Sequence, residues 1–291
     1  LARYFQPEGK LLIPMPMVNI LSGGAHANRT MDIQDVLVLP NGATSFAEAL
    51  SWIVAIRELA ASKGAKSGAI THLIADEGGL GIAFPTIDNA LEFVTNCITE
   101  VGLKPEKDVS LAIDVASTQF FDGTNYNLTA LGKEFSREEF VAFIAKMASD
   151  HPILSIEDPF AEDDWQSWTQ FMAKAPSKLQ VLGDDLFTTN LARLQRGIDE
   201  KSANAILIKA NQNGLVTSTQ KVLTTAQANN FKTVVSARSG ETEDSWLADL
   251  ATGWRASQIK VGSTHGADRT AKWNRLLELE ATENCEFAKP F

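Results

Sequence analysis

The sequence predicts an α/β protein, a TIM-type (β/α) barrel with a strand-strand-helix-helix start. Three observations carry this expectation. From about residue 109 onward, short apolar runs alternate with longer amphipathic ones. Most of the short runs are β-branched or Leu-rich on both parities, as strands buried on both faces of a parallel sheet must be. Six strand–helix units follow in succession, which favours a closed barrel over a doubly wound sheet.

In chain order, "LARYFQPEGK" (residues 1–10) has the polar, Pro- and Gly-containing character of a linker, and residues 11–291 read as one barrel domain. "MPMVNIL" and "DIQDVLVLP" are two strands close in sequence, and "SFAEALSWIVAIRELAASKG" and "TIDNALEFVTNCITEVG" are two helices. The strands that follow are "VSLAIDVA", "PILSIED", "LQVLGDD", "NAILIKA", "KTVVSA" and "SQIKVG". Between them lie the helical patterns "SREEFVAFIAKMASD", "DDWQSWTQFMAKA", "LARLQRGIDE", "LVTSTQKVLTTAQANN" and "TEDSWLADLATG", and "DRTAKWNRLLELEATE" comes last. No internal repeat or low-complexity tract interrupts the series.

Composition narrows the function. Among 291 residues, a formal net charge of −10 argues against nucleic acid or an anionic membrane as the main partner, while leaving room for a small anion in a locally cationic pocket. The two cysteines, Cys97 and Cys285, have no metal-like spacing and read as reduced thiols of a cytoplasmic protein. The longest uncharged stretch, "LLIPMPMVNILSGGA", is too short for a membrane span and is broken by Pro14 and Pro16.

A buried barrel strand should end in apolar residues or turn formers. Here Asp114 closes "LAID", Glu157 closes "LSIE", Asp184 closes "VLGD", Lys209 closes "ILIK" and Lys260 closes "SQIK". The C-terminal strand ends of a barrel line one mouth, so three carboxylates from successive strands converge there. Three ionised carboxylates cannot share a low-dielectric mouth without a neutralising partner, and an oxygen-seeking divalent cation, best Mg²⁺, supplies it. Lysines facing that cation have a lowered pKa and suit a base. Two glycine loops add candidates: Glu77 in "ADEGG" and His26 in "SGGAH". At "SARSGETED", a strand end, the Arg238 guanidinium, the Ser239 hydroxyl and a helix-like run suit an anion.

The ordered set "SGGAHAN", "DEGG", "SIEDPFAEDDW", "GDDLF", "LIKANQ", "ARSGETED" and "QIKVG" resembles the enolases, the phosphopyruvate hydratases of glycolysis, over nearly the whole chain. The resemblance implies a Mg²⁺-dependent lyase that reversibly dehydrates 2-phosphoglycerate to phosphoenolpyruvate. It implies a barrel preceded in the family by an N-terminal α+β domain that this chain lacks, and a homo-oligomer, dimer or octamer. It assigns Asp114, Glu157 and Asp184 to the metal, Lys209 to removal of the α proton, and Glu77 to expulsion of the hydroxyl. His26, Gln34 and Lys260 match substrate-site residues, and Arg238 and Ser239 match the phosphate pair. Two positions depart from the pattern: Ala237 stands where enolases carry a histidine, and Asp35 where they carry a glutamate. These departures leave open an enolase paralogue that dehydrates a different phosphorylated or phosphono acid, or a catalytically weak homologue acting as a binding protein.

Overall fold

A computed structural model describes residues 1–27, 29 and 31–291; Asn28, the last residue of "SGGAHAN", lies outside the described residues. A four-residue helix, α1 (Ala2–Phe5), opens the chain, followed by β1 (Leu11–Ile13), β2 (Met15–Ser22) and β3 (Asp35–Leu39). Helices α2 (Phe46–Lys66) and α3 (Ile87–Glu100) lead to β4 (Ser110–Asp114). A small hairpin, β5 (Tyr126–Leu128) and β6 (Lys133–Phe135), precedes α4 (Arg137–Asp150). Then come β7 (Ile153–Glu157), α5 (Trp165–Met172), β8 (Gln180–Gly183), α6 (Leu191–Glu200) and β9 (Ala205–Ile208). The last part holds α7 (Ala210–Asn213), α8 (Val216–Ala228), β10 (Lys232–Ser236), α9 (Trp246–Gly253), β11 (Gln258–Lys260), α10 (Ala267–Thr282) and β12 (Cys285–Phe287).

Eight strands close a barrel in the order β10-β11-β2-β3-β4-β7-β8-β9. All neighbours are parallel except β3, which runs antiparallel to both β2 and β4. The strand-strand-helix-helix start and the regular units that follow are therefore as the sequence predicts. The reversed β3 has a functional consequence. Its first residue, Asp35, lies beside Ser22 and Asp114, the last residues of its neighbours, and so reaches the same mouth.

Side-chain alternation along each strand sorts the chain into two apolar layers. Met15, Met17, Leu37, Ala112, Leu182, Ala205, Leu207 and Val234 fill the barrel interior. The outward positions, among them Val36, Ile113, Ile206, Ile208 and Ile259, pack under the helices. Continuing the inward parity by one step places the site. Ala112 leads to Asp114, Leu182 to Asp184, Leu207 to Lys209, and Met17 back to the mouth side at Asn19. The same two-residue period that fills the core thus sets charges at its upper rim.

Helix starts are capped by the residues that precede them. Ser45 accepts the Glu48 N–H at 3.1 Å, and Ser136 with Glu139 forms a reciprocal box. The segment read as a linker is tied down on the barrel: Ala2 is buried, its N–H bonds Asp249 Oδ1 at 3.0 Å, and Phe5 meets Trp254 edge-on at 5.5 Å. Burial supplies this order, since Ala2 and Phe5 carry the apolar surface that "LARYFQPEGK" hides among polar neighbours. At the other end, β12 pairs in parallel with β1. Cys97 is buried and Cys285 partly so, and both are free thiols. Among the described residues no helix is long and apolar enough to cross a membrane.

Candidate active site at the barrel mouth

A polar cavity of about 240 Å³ opens at the C-terminal end of the strands. Gln34, Glu77, Asp114, Asp184, Lys209 and Lys260 line it, with Arg238 and Ser239 on one side. Ala237 forms part of the wall between them. A larger groove of about 710 Å³ runs beside His26 along residues 67–83, but its lining is mainly apolar and it lacks converging charges.

Lys260 is the electrostatic centre. Its Nζ lies 2.7 Å from Asp114 Oδ2 and 2.7 Å from Glu157 Oε2, with all three side chains buried. Burial alone would lower Lys260, but Asp114 and Glu157 more than reverse this and hold it well above the usual lysine range. Burial also opposes ionisation of the two acids. Contact with Lys260 holds Asp114 below its ordinary value, whereas burial and the Asp114 charge push Glu157 well above its own. Gln34 Nε2 completes the Asp114 contacts at 3.3 Å.

Lys209 Nζ lies 2.5 Å from Asp184 Oδ2. Burial would lower this lysine too, but Asp184 and Glu157 raise it. With the Asp184 carboxylate in contact, Lys209 is held in its protonated form; the expected lowering belongs to a lysine that faces a bound cation. Asp184 Oδ1 is buried and has no hydrogen-bond partner among the described residues.

The sequence reading passed over two more acids. Asp158 and Asp185 both line the cavity, and with Asp184 they have ligand oxygens within 4.8 Å of one another. Asp158 takes a left-handed conformation (φ 40°), which lets its carboxylate accept the N–H groups of Asp184 at 3.0 Å and Asp185 at 2.8 Å. It therefore shapes the turn that carries Asp184. Burial and the neighbouring acids raise Asp158 well above the usual range and Asp185 to about 6. The signal was available: "IEDP" and "GDDL" each carry a second acid beside the one counted.

Glu77 is held from two directions. Asn19 Nδ2 donates to its Oε2 at 3.1 Å, and Ser239 Oγ donates to Oε1 at 3.2 Å. The "DEGG" spelling has a steric reason. Gly78 has φ 82°, and a Cβ there would meet the His265 carbonyl at 2.7 Å; a Cβ on Gly79 would meet Ser22 Oγ at 2.3 Å.

His26 and Asp35 form a second tier behind this cavity. His26 Nε2 lies 3.2 Å from Ser239 Oγ, and its Nδ1 lies 3.5 Å from Asp35 Oδ2. Asp35 is fully buried and accepts the Ser22 hydroxyl at 2.6 Å. Its contact raises His26, while burial raises Asp35 to about 6. The short carboxylate is thus turned onto Ser22 and His26, and it does not line the cavity. Glu157, behind Lys260, and His26 are likewise outside the lining, and the remaining candidates named from the sequence surround the space itself.

A closed (β/α) barrel whose mouth holds buried carboxylates, paired lysines and an arginine–serine corner also brings together two groups, His26–Asp35–Glu77 and Asp158–Asp184–Asp185, whose ligand atoms could hold a metal ion. Comparison with known families carries this further. The family described as "Enolase, C-terminal TIM barrel domain" matches residues 10–288, and the chain belongs to it.

Proposed function

We propose that this protein is an enolase-type hydro-lyase that dehydrates 2-phosphoglycerate, or a close analogue, to phosphoenolpyruvate with Mg²⁺. The observation that carries this reading is one polar cavity in which Lys209, Glu77 and the Arg238–Ser239 corner face the carboxylate set. Two oxygen sets could take the ion: Asp114, Glu157 and Asp184, whose carboxylates are held by Lys260 and Lys209 and would have to be released, and Asp158, Asp184 and Asp185, whose oxygens lie within 4.8 Å of one another. Asp184 belongs to both, and its buried Oδ1 has no hydrogen-bond partner among the described residues. Mg²⁺ held there would polarise the substrate carboxylate and stabilise the charge left when its α proton departs.

The remaining work falls to side chains. Lys209 Nζ takes the α proton once Asp184 no longer holds it. Lys260 stays protonated between Asp114 and Glu157, so it contributes fixed positive charge where negative charge develops. Glu77 delivers a proton to the departing hydroxyl, with Asn19 and Ser239 fixing its carboxyl. Arg238 and Ser239 take the phosphate, and His26 orients the Ser239 hydroxyl. A cytoplasmic homo-oligomer accords with this assignment, with a small phosphorylated acid as its partner.

A second reading has its own observation. Ala237 leaves a small apolar wall beside the Arg238–Ser239 corner, and Asp35 is withdrawn onto Ser22. Both changes favour a phosphorylated or phosphono acid that carries a different substituent near the leaving group. The deciding experiment is a Mg²⁺-dependent assay with 2-phosphoglycerate, following phosphoenolpyruvate absorbance. Turnover that disappears in Lys209→Ala supports the first reading. No turnover, together with dehydration of a phosphono analogue, supports the second.

A further inference from the structure

Helix α10 follows the exit of β11, and its first two turns carry two cations hidden from solvent: Arg269 is 1% exposed and Lys272 0%. Neither lines the cavity. Arg269 Nη1 donates to the carbonyls of Arg238 at 2.7 Å and Val261 at 3.0 Å. Its Nη2 donates to the carbonyls of Ser239 at 2.6 Å and Asp76 at 3.2 Å. One guanidinium therefore joins three segments, which carry Glu77, the Arg238–Ser239 corner and Lys260. Lys272 Nζ donates to the Thr242 carbonyl at 2.5 Å and pairs with Glu241 Oε2 at 3.0 Å. Glu241 Oε1 in turn accepts the Arg238 N–H at 3.2 Å.

Burying two charges is costly unless each is paired; three of the partners are carbonyls of the 238–242 loop, and the rest are the Val261 and Asp76 carbonyls, Glu241, and Asp268, whose Oδ2 lies 2.9 Å from Arg269 Nε. A fold needing only apolar packing between α10 and the barrel would be served by methionine or leucine at both positions. What the cations add is orientation. They hold the Arg238, Ser239 and Thr242 carbonyls toward the helix, so that these oxygens are not free to face an anion in the cavity. They also set positive charge beneath the loop.

We propose that Arg269 and Lys272 are positioning residues that preorganise the 238–242 loop for a tetrahedral oxyanion, a phosphate or phosphonate group. The inference rests on the reading of Arg238 and Ser239 as the anion pair. Lys272 acts through Glu241 and the Arg238 amide, and Arg269 acts through the carbonyls on either side of the Ser239 amide.

The test is calorimetric titration of the protein with inorganic phosphate in Mg²⁺ buffer, with melting temperature followed alongside. Lys272→Met should weaken phosphate binding about tenfold, the loss expected when charged hydrogen bonds no longer fix the loop. Glu241→Gln added to Lys272→Met should recover a large part of that affinity, because the uncompensated carboxylate is then gone; a role in stability alone would not restore binding. Arg269→Lys, which keeps the charge but not the fork, should weaken phosphate while Mg²⁺ titration stays unchanged, and it serves where Arg269→Met does not fold. Phosphate affinity within twofold of wild type in both Lys272→Met and Arg269→Lys overturns the inference. Equal phosphate binding by wild type and Arg238→Met overturns the anion-pair reading itself, and the inference with it.

Discussion

Lys260→Met is the perturbation that most directly probes the charge balance of the site. The methionine conserves most of the side-chain volume and removes a single charge that Asp114 and Glu157 share at 2.7 Å each. Breaking a buried ion pair by deleting one partner costs roughly 3–5 kcal/mol, because the other charge stays buried without compensation. Two carboxylates lose their partner here, so the upper part of that range applies in EDTA. At about 2 °C per kcal/mol for a domain of this size, the melting temperature should fall by roughly 8–10 °C.

The loss has a sign in pH. Without Lys260, both acids have folded-state pKa values raised above their unfolded values, so protonation relieves the folded state at low pH. The destabilisation is then smallest in mild acid and grows as pH rises through those raised values. A divalent cation bound by the same carboxylates should offset part of the cost, since saturation to a hundred times Kd stabilises by about 2.7 kcal/mol. Thermal melts of wild type and Lys260→Met, each with EDTA and with Mg²⁺, measure all of this. Melting of the variant within about 2 °C of wild type in EDTA would sink the reasoning. So would an equal Mg²⁺-induced rise in both proteins.

Four further outcomes are expected. Lys209→Ala should abolish exchange of the substrate α proton with solvent, whereas Glu77→Gln should block dehydration and leave exchange measurable; equal loss in both would show the two roles wrongly divided. Ala237→His with Asp35→Glu should raise 2-phosphoglycerate turnover if that is the native substrate and depress it for a bulkier acid. Asp35→Glu alone should cost about 1–3 kcal/mol by overpacking a fully buried site against Ser22, which calorimetry can check. Asp249 clamps α1 and Arg275; burial opposes its ionisation, but the Arg275 and Ala2 bonds hold it below the ordinary carboxylate value. Asp249→Asn should therefore cost about 1–3 kcal/mol at neutral pH, and the gap should close as pH falls through that depressed pKa; a gap constant with pH would refute the assignment.

Much of this architecture was legible because one period governs it. Runs such as "NAILIKA" and "LQVLGDD" are apolar on both parities until the final charge, so strand identity and mouth position are read together. The hairpin of β5 and β6 was missed because its strands are three residues long and one of them, "KEF", is mostly polar. Its worth is tertiary: Tyr126 stacks on Phe140 at 4.2 Å and donates its hydroxyl to Asp164 at 2.7 Å. Arg269 and Lys272 were missed because an Arg and a Lys on an amphipathic helix look like its solvated face. Their burial depends on carbonyls more than 25 residues away, which no local pattern carries. The enolase resemblance sets Asp35 at a substrate-site glutamate of the family, and only the Ser22 and His26 contacts show it turned inward.

For the phosphorylated acid proposed above, the mouth calls for two anchors of opposite kind. Asp35, Glu77, Asp114, Glu157, Asp158, Asp184 and Asp185 gather there, against the fixed cations Lys209, Lys260 and Arg238. Such a surplus repels a phosphorylated carboxylate unless the acids are locally neutralised, and Lys260 accomplishes this for only two of them. The acid-rich side, built on β4, β7 and β8, can meet a substrate carboxylate only through a bound cation. The Arg238–Ser239 side, where Lys272 pairs with Glu241 and Glu77 accepts the Ser239 hydroxyl, is where the proposed function would seat a phosphate. On the proposed function, the two ends of the substrate would be read by different physics, metal-bridged charge at one and a preorganised loop at the other. Lys209, in contact with Asp184, stands at the boundary, where its release would link occupation of the acidic side to the appearance of a base.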